Sequence, residues 1–219
     1  HVMFATAAGN IRRNRLSDFT NIKRNGKIAM KLAEGDELVG VAPCSETDDL
    51  LLATRDGKAI RFAVDAVRVF RGRDSTGVRG IRLIGKDSVV SMSIITDESN
   101  EFVLSVTENG YGKRTQVSDY RRAGRGGQGV ANIETSERNG RVMASFTVVE
   151  EDQLMLVTNH GQIIRIRVHG GEGDSIRIAG RKTQGVRLFD VSGDEDERVV
   201  SAGLIRDADD ADDRDVDPA

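Results

Sequence analysis

The chain has 219 residues and a formal net charge of −3, with 38% hydrophobic and 31% charged residues. This length is sufficient to bury the core of one large β domain or two small ones. No apolar run approaches the roughly 20 residues that a membrane-spanning helix needs. The single cysteine, Cys44, excludes an internal disulfide, so the composition favours a cytoplasmic protein.

Acidic residues are concentrated at the C-terminal end of the chain. Residues 190–219 contain 12 acidic and three basic residues, which leaves residues 1–189 with a net charge of +6. The body is therefore basic, as expected for a protein that binds an anionic partner. Residues 206–219 have no apolar pattern, and we expect a disordered acidic tail, which either competes with phosphate for the basic surface or only aids solubility.

An apolar segment that ends in a turn glycine occurs four times. These glycines are Gly9, Gly57, Gly110 and Gly161, at spacings of 48, 53 and 51 residues. In every copy a basic loop with a second glycine follows, and then a short apolar strand. The second glycines are Gly26, Gly77, Gly129 and Gly185. Four copies of the same three features in the same order predict a repeat protein.

Each repeat begins with the pattern of a β-hairpin, in which Val, Leu, Phe and Thr lead into a turn and an alternating strand follows. Helical periodicity is limited to single turns at "RLSDF" and "QVSDY". Such a unit cannot bury its apolar face alone, so the sequence predicts an all-β, propeller-like array of four-stranded antiparallel blades. The predicted blades are 1–44, 45–98, 99–150 and 151–205. Because the first copy starts at its first strand, we expect further copies upstream.

An arginine stands four residues after each turn glycine, and other basic residues flank these arginines or precede the second glycine. If the repeats stack in one orientation, these cations form a positive stripe along one curved edge. Such a stripe fits a duplex phosphate backbone, and contacts with phosphate carry no sequence information. The predicted DNA-binding residues are Arg12, Arg13, Arg15, Lys23, Arg24, Lys58, Arg61, Arg71, Arg73, Lys113, Arg114, Arg121, Arg122, Arg125, Arg165, Arg167, Arg181 and Lys182.

The sequence contains only weak indications of a nucleotide-binding, metal or catalytic site. Residues 124–129 match the dinucleotide pattern G-x-G-x-x-G, but a strand-like segment follows where that site requires a helix. No histidine has a partner at metal-ligand spacing, and Tyr111 and Tyr120 fit packing better than a nucleophilic role. Two other functional classes of protein remain open. One is a protein-interaction propeller with a basic rim, and the other is a propeller enzyme with an axial site.

The repeats resemble the β-pinwheel that forms the C-terminal domain of DNA gyrase A. The resemblance lies in "ENGYGKRT" (108–115), "STGVRGIRL" (75–83), "SERNGRVM" (136–143) and "GRKTQGVRL" (180–188), and the repeats cover residues 2–205. The corresponding C-terminal domain of topoisomerase IV is the second candidate, because its blades are more degenerate.

This resemblance implies a six-bladed array of which four blades are present, with duplex DNA bent around its outer rim. It implies a monomeric, non-catalytic domain that supports ATP-dependent negative supercoiling together with the N-terminal domain of gyrase A and with gyrase B. No cofactor is expected in this segment, since ATP and Mg are used elsewhere in that holoenzyme. The family's Q-R-R-G-G-K-G signature is absent, and "AGRGGQG" (123–129) is a degenerate match. We therefore expect DNA bending without full wrapping.

Overall fold

The computed structural model describes residues 1–22, 24–171, 175–191 and 196–205. Within these ranges the regular elements are sixteen β-strands and three short 3₁₀ turns. The strands are β1 (Val2–Thr6), β2 (Asn10–Asn14), β3 (Leu38–Pro43), β4 (Asp49–Thr54), β5 (Lys58–Ala63), β6 (Val69–Phe70), β7 (Val78–Arg79), β8 (Val89–Ile95), β9 (Phe102–Thr107), β10 (Tyr111–Gln116), β11 (Val130–Ala131), β12 (Val142–Val148), β13 (Gln153–Thr158), β14 (Ile163–Arg167), β15 (Val186–Arg187) and β16 (Val199–Ile205). The 3₁₀ turns are Leu16–Phe19, Val64–Ala66 and Val117–Asp119.

The predicted all-β fold is confirmed, and so are the helical turns at "RLSDF" and "QVSDY". Two predictions fall outside the described residues: the DNA contact of Lys23 and the disordered tail at 206–219.

The strands form four sheets, and the first three combine strands of two repeats. The sheet orders are β3-β1-β2-β7, β8-β4-β5-β11, β12-β9-β10-β15 and β16-β13-β14, with β6 lying parallel to β2 in the first. In each of the first three sheets, the fourth strand therefore comes from the loop of the next repeat along the chain. The first three sheets contain the predicted four-stranded antiparallel blades, and the fourth has three strands among the described residues. The strand exchange is not visible in the pattern of the sequence.

The exchange has the same geometry in all three sheets. The carbonyl of Gly9 accepts the backbone N–H groups of Gly80 and Ile81, at 2.8 and 3.3 Å. The carbonyls of Gly57 and Gly110 accept the equivalent pair of bonds from the repeats that follow them. The second glycine is needed as well: Gly77 has φ +86°, and a Cβ there would lie 2.1 Å from the carbonyl oxygen of Ile11. Only glycine permits this backbone approach.

The third strands of the repeats lie at the centre of the array. A cavity of about 430 Å³ is lined by residues from all four of these strands, among them Ala42, Met92, Phe146 and Leu204. Because each exchanged strand lies at the opposite edge of its sheet, β7, β11 and β15 lie on the outer rim. The apolar cores are shared between neighbours, as expected for units that cannot fold alone; one cluster joins Met3 and Ile11 to Leu50 and Phe62.

Candidate nucleic-acid interface

The arginines that recur after the turn glycines are buried in the first three repeats. Arg13, Arg61 and Arg114 are 4%, 6% and 3% exposed, and their neighbours Arg12 and Lys113 are fully buried. The prediction that these five side chains line an outward-facing stripe is therefore wrong. The physical reason is the strand exchange, because the next repeat folds over the second strand of the hairpin and covers these residues.

Arg61 shows what the recurring arginine does. Its Nε donates to Asp49 and its Nη2 to Glu98, both at 2.7 Å, and its Nη1 donates to the carbonyl of Val117 in the next repeat at 3.1 Å. Asp49, 2% exposed, also pairs with Arg122 of that repeat at 2.7 Å. Burial opposes the charged form of Arg61, but the hydrogen bonds to Glu98 and Asp49 outweigh this and raise its pKa. We call Asp49, Arg61, Glu98 and Arg122 the Arg61 clamp.

The other buried arginines make related contacts. Arg114 donates to the carbonyl of Ile176 in the next repeat at 2.7 Å and lies 3.5 Å from Glu150. Arg13 lies 3.6 Å from Glu46. The paired glutamates Glu46, Glu98 and Glu150 recur at a spacing of 52 residues. The periodic arginine is therefore half of a periodic ion pair within its own sheet, and in the second and third repeats it also donates to a carbonyl of the repeat that follows.

In the first and third repeats, the residue before the recurring arginine is a buried cation that binds the loop of the next repeat. Arg12 donates to the carbonyl of Ser75 at 2.8 Å. Lys113 donates to the carbonyls of Gly180 and Asn132 at 2.6 and 2.9 Å. These side chains position the outer loops and do not themselves reach solvent.

We expect a pH-dependent contribution of Lys113 to stability. Burial, together with the charge of Arg181, lowers the pKa of Lys113 to about 8, whereas an unfolded lysine titrates near 10.4. Between these values the unfolded state binds the proton more tightly, so the contribution of Lys113 rises with pH and is lost as pH falls towards 8. The stability of the wild-type protein relative to a Lys113→Met variant should increase by about 2 kcal/mol from pH 8 to pH 10. Urea denaturation measures this difference, and a pH-independent difference would contradict the assignment.

The exchanged loops form a continuous outer edge, here called the loop ridge (residues 71–82, 121–134 and 180–187). The loop of the third repeat bonds to that of the second, with Arg125 Nη1 donating to the carbonyl of Arg79 at 3.1 Å and the N–H of Gly126 to that of Gly80 at 2.6 Å. The loop of the fourth repeat bonds to the third, with Arg181 Nη1 donating to the carbonyl of Ala131 at 2.9 Å.

The loop ridge carries ten basic residues and two acidic ones, Asp74 and Glu134. The basic residues are Arg71, Arg73, Arg79, Arg82, Arg121, Arg122, Arg125, Arg181, Lys182 and Arg187. The structure thus brings seven of the predicted DNA-binding residues together on the outer rim. Three ridge cations, Arg79, Arg82 and Arg187, were not predicted, although the repeated "GVR" of the exchanged strands contains two of them. Of the other predicted residues, Arg15, Arg24, Arg165 and Arg167 are exposed outside the ridge segments, and Lys58 is exposed on β5 beside the ridge, opposite Ala131 of β11.

Neither tyrosine has the setting of a nucleophile. Tyr120 is 1% exposed, its hydroxyl donates to Asn132 at 2.6 Å, and burial raises its pKa. Tyr111 is 6% exposed, and its hydroxyl accepts bonds from Arg187 and Arg138, which lower its pKa. Among the described residues there is no cluster of His, Cys, Asp and Glu that could hold a metal ion. The described part of the chain also has no helix of the length and apolarity needed to cross a membrane. The short strand β11 follows residues 124–129, where a dinucleotide site requires a helix.

These features define a β-propeller array with exchanged strands and a basic outer rim. A family model described as "DNA gyrase C-terminal domain, beta-propeller" matches residues 1–45, 48–96, 101–148 and 152–206. The chain belongs to this family, and the predicted resemblance is confirmed.

Curated relatives agree with the family assignment. The DNA gyrase A protein of Granulibacter bethesdensis is 41% identical over 97% of the chain, and that of Salmonella typhimurium is 43% identical over 99%. The chain spans 28% and 23% of those proteins, about a quarter of their length.

Solved structures show the same fold. The C-terminal domain of DNA topoisomerase IV has a TM-score of 0.84 at 25% identity, covering 94% of this chain and 61% of that one. The C-terminal domain of DNA gyrase A has a TM-score of 0.78 at 25% identity, covering 92% and 64%. The curated relatives that match nearly the whole chain are DNA gyrase A proteins, which favours gyrase over the topoisomerase IV alternative.

Proposed function

We propose that this chain binds duplex DNA along the loop ridge, without sequence preference, and bends it. The observation that carries the proposal is the hydrogen-bonded series of basic loops along one outer edge. Lys and Arg contacts to phosphate position a duplex but do not read its bases. Smooth bending of a 20–30 bp segment costs about 1–6 kcal/mol, so contacts from several repeats are needed to offset it.

In its longer protein, we propose, the chain is the non-catalytic C-terminal domain of DNA gyrase A. It then works with the N-terminal domain of gyrase A and with gyrase B, in the cytoplasm, and presents bent DNA to the cleavage domain during ATP-dependent negative supercoiling. The family assignment and the basic rim support this proposal. The cofactor requirement, ATP and Mg, belongs to other parts of such a holoenzyme.

The proposal is tested by the salt dependence of binding to two unrelated duplexes of equal length. If about eight phosphates are engaged, log K should fall with log[salt] at a slope near −7. The two duplexes should give equal affinities, because the contacts are with the backbone. A slope near zero, or a strong preference for one duplex, would contradict DNA-backbone binding. A mobility shift with competing heparin measures both quantities.

A further inference from the structure

Each of the three strand exchanges places one cation at the same point of the outer rim. The pairs of residues that face each other there are Asn10 and Arg79, Lys58 and Ala131, and Tyr111 and Arg187. The cation belongs to the exchanged strand in the first and third pairs and to the hairpin in the second, and it is exposed in all three. The charge is thus present at every junction although the strand that carries it differs, which favours a contact of the charge with an anionic partner.

At the third junction a second cation, Arg138, joins Arg187, and both guanidinium groups converge on Tyr111. The Nε of Arg138 and the Nη2 of Arg187 donate to the tyrosine hydroxyl at 3.4 and 3.5 Å. The guanidinium carbons of the two arginines lie 5.1 and 5.8 Å from the centroid of the tyrosine ring. Both arginines are exposed, and each has five N–H donors, so both retain donors for a ligand that arrives from solvent.

The loop that carries Arg138 is held in place by two asparagine side chains. Asn139 is fully buried, and its Nδ2 donates to the carbonyls of Glu134 and Gln184 at 2.8 and 3.1 Å. Gln184 lies in the exchanged loop of the fourth repeat, so this contact fixes the two loops relative to each other. The Nδ2 of Asn109, in the turn of the hairpin, donates to the carbonyl of Arg138 at 3.2 Å. Donors on such a fixed backbone lose little freedom when a ligand binds.

The charge of this cluster is only partly compensated by acidic side chains. Arg187 Nη1 lies 3.1 Å from Asp190, and both side chains are more than half exposed, at 51% and 60%. An exposed ion pair of this kind contributes little to stability, so an incoming anion can replace the carboxylate at small cost. Arg138 forms no ion pair within the part of the chain that the structure describes. Two arginines and one exposed aspartate leave one positive charge, which matches the single negative charge of a phosphodiester group.

We propose that Arg138 and Arg187 together bind one phosphate group of the DNA backbone, and that Tyr111 is the positioning residue whose ring supports both guanidinium groups. Arginine binds phosphate oxygens through two parallel N–H groups, and the pair offers this geometry from two sides. The inference rests on the proposed function and deepens it, because it adds Arg138, which lies outside the loop ridge, to the DNA contacts. Arg79 and Lys58 are the single cations of the other two junctions.

The salt dependence of duplex binding tests the proposal with Arg138→Gln, Arg187→Gln and the double variant. Each single variant should lose about tenfold in affinity but keep the wild-type slope of log K against log[salt], because the remaining arginine still neutralises the phosphate. The double variant should have a slope shallower by about 0.9, since one phosphate contact is then lost. The matched control is Arg141→Gln, which removes the same charge from an exposed side chain of the same loop that lies 3.8 Å from Asp56. It should keep the wild-type affinity and slope.

The ionisation of Tyr111 is the second measurement. The chain has two tyrosines, and burial raises the pKa of the other one, Tyr120, so the first tyrosine to titrate is Tyr111. The hydrogen bonds from Arg187 and Arg138 lower the pKa of Tyr111. A phosphate bound by these arginines takes up their donors and adds negative charge, so the pKa of Tyr111 should rise when duplex is added. Carbon NMR of tyrosine labelled at the ζ carbon measures this shift.

The possible outcomes separate this inference from the proposed function. Wild-type protein that binds duplex with a steep salt slope, while both single variants keep its affinity, would overturn the inference and leave the proposed function standing. A shallower slope in each single variant would show that the arginines bind two separate phosphates, which also contradicts a shared site. An equal rise in the pKa of Tyr111 with inorganic phosphate at the same phosphate concentration would assign the pair to a free anion instead of DNA. Wild-type protein that does not bind duplex would overturn both proposals.

Discussion

Replacing Arg61 with alanine is expected to destabilise the protein by about 3–5 kcal/mol, because it leaves the carboxylate of Asp49 buried with half of its compensation removed. The same change at Arg165 should cost less than about 0.5 kcal/mol. The two arginines occupy the same position in their repeats, four residues after the turn glycine. They differ in environment, since Arg61 is 6% exposed in the Arg61 clamp, whereas Arg165 is exposed and bonds to Gln153 on its own hairpin.

Urea denaturation monitored by far-UV circular dichroism measures both effects. The Glu98→Gln variant measures the contribution of Glu98 to stability independently of that of Asp49. Because Glu98 is 52% exposed, its loss should cost about 1 kcal/mol or less. Asp49→Asn removes the carboxylate that Arg61 and Arg122 share and should match the loss at Arg61 more closely. Equal destabilisation by Arg61→Ala and Arg165→Ala would show that the clamp does not fasten neighbouring repeats.

The repeats, the strand class and the basic character of the outer loops follow from the sequence. The turn glycines and the alternation in "GQIIRIRV" predict hairpins, and the structure has them at β1–β2, β4–β5, β9–β10 and β13–β14. The exchanged strands could not be predicted in the same way, because each has only two residues and its pairing partner lies in another repeat. A two-residue strand has no periodicity to detect.

The role of the recurring arginine was misassigned for a different reason. A cation repeated in every unit is expected both for phosphate binding and for a structural ion pair, and the arginines alone do not distinguish the two. The glutamates do, because Glu46, Glu98 and Glu150 recur with the same period and each follows the third strand of its repeat. A basic residue with a periodic acidic partner indicates an internal contact, whereas the cations of the exchanged loops have no such periodic partner.

The largest loss of DNA affinity is expected when Arg71, Arg121 and Lys182 are replaced together with alanine. Each of these residues lies in a different segment of the loop ridge. All three side chains are exposed, and among the described residues they form no ion pair. A charge-assisted hydrogen bond contributes a net free energy of about 1.5 kcal/mol or more to binding. The triple alanine variant should therefore lose about tenfold in affinity for each contact removed. The slope of log K against log[salt] should become shallower by about 3, since each lost phosphate contact accounts for about 0.9.

The matched control for this variant exchanges the cations and keeps the charge, as Arg71→Lys, Arg121→Lys and Lys182→Arg. Its salt slope should equal that of the wild-type protein, because counterion release depends on the number of phosphates neutralised and not on the type of cation. The alanine variant should weaken binding to two unrelated duplexes by the same factor, and its urea denaturation midpoint should be unchanged, because none of the three side chains fastens the repeats. An unaltered slope in the alanine variant would place the DNA on a surface other than the loop ridge. If the slope of log K against log[salt] is unchanged in the lysine–arginine exchange but shallower in the alanine variant, the duplex contacts the loop ridge on the outer rim.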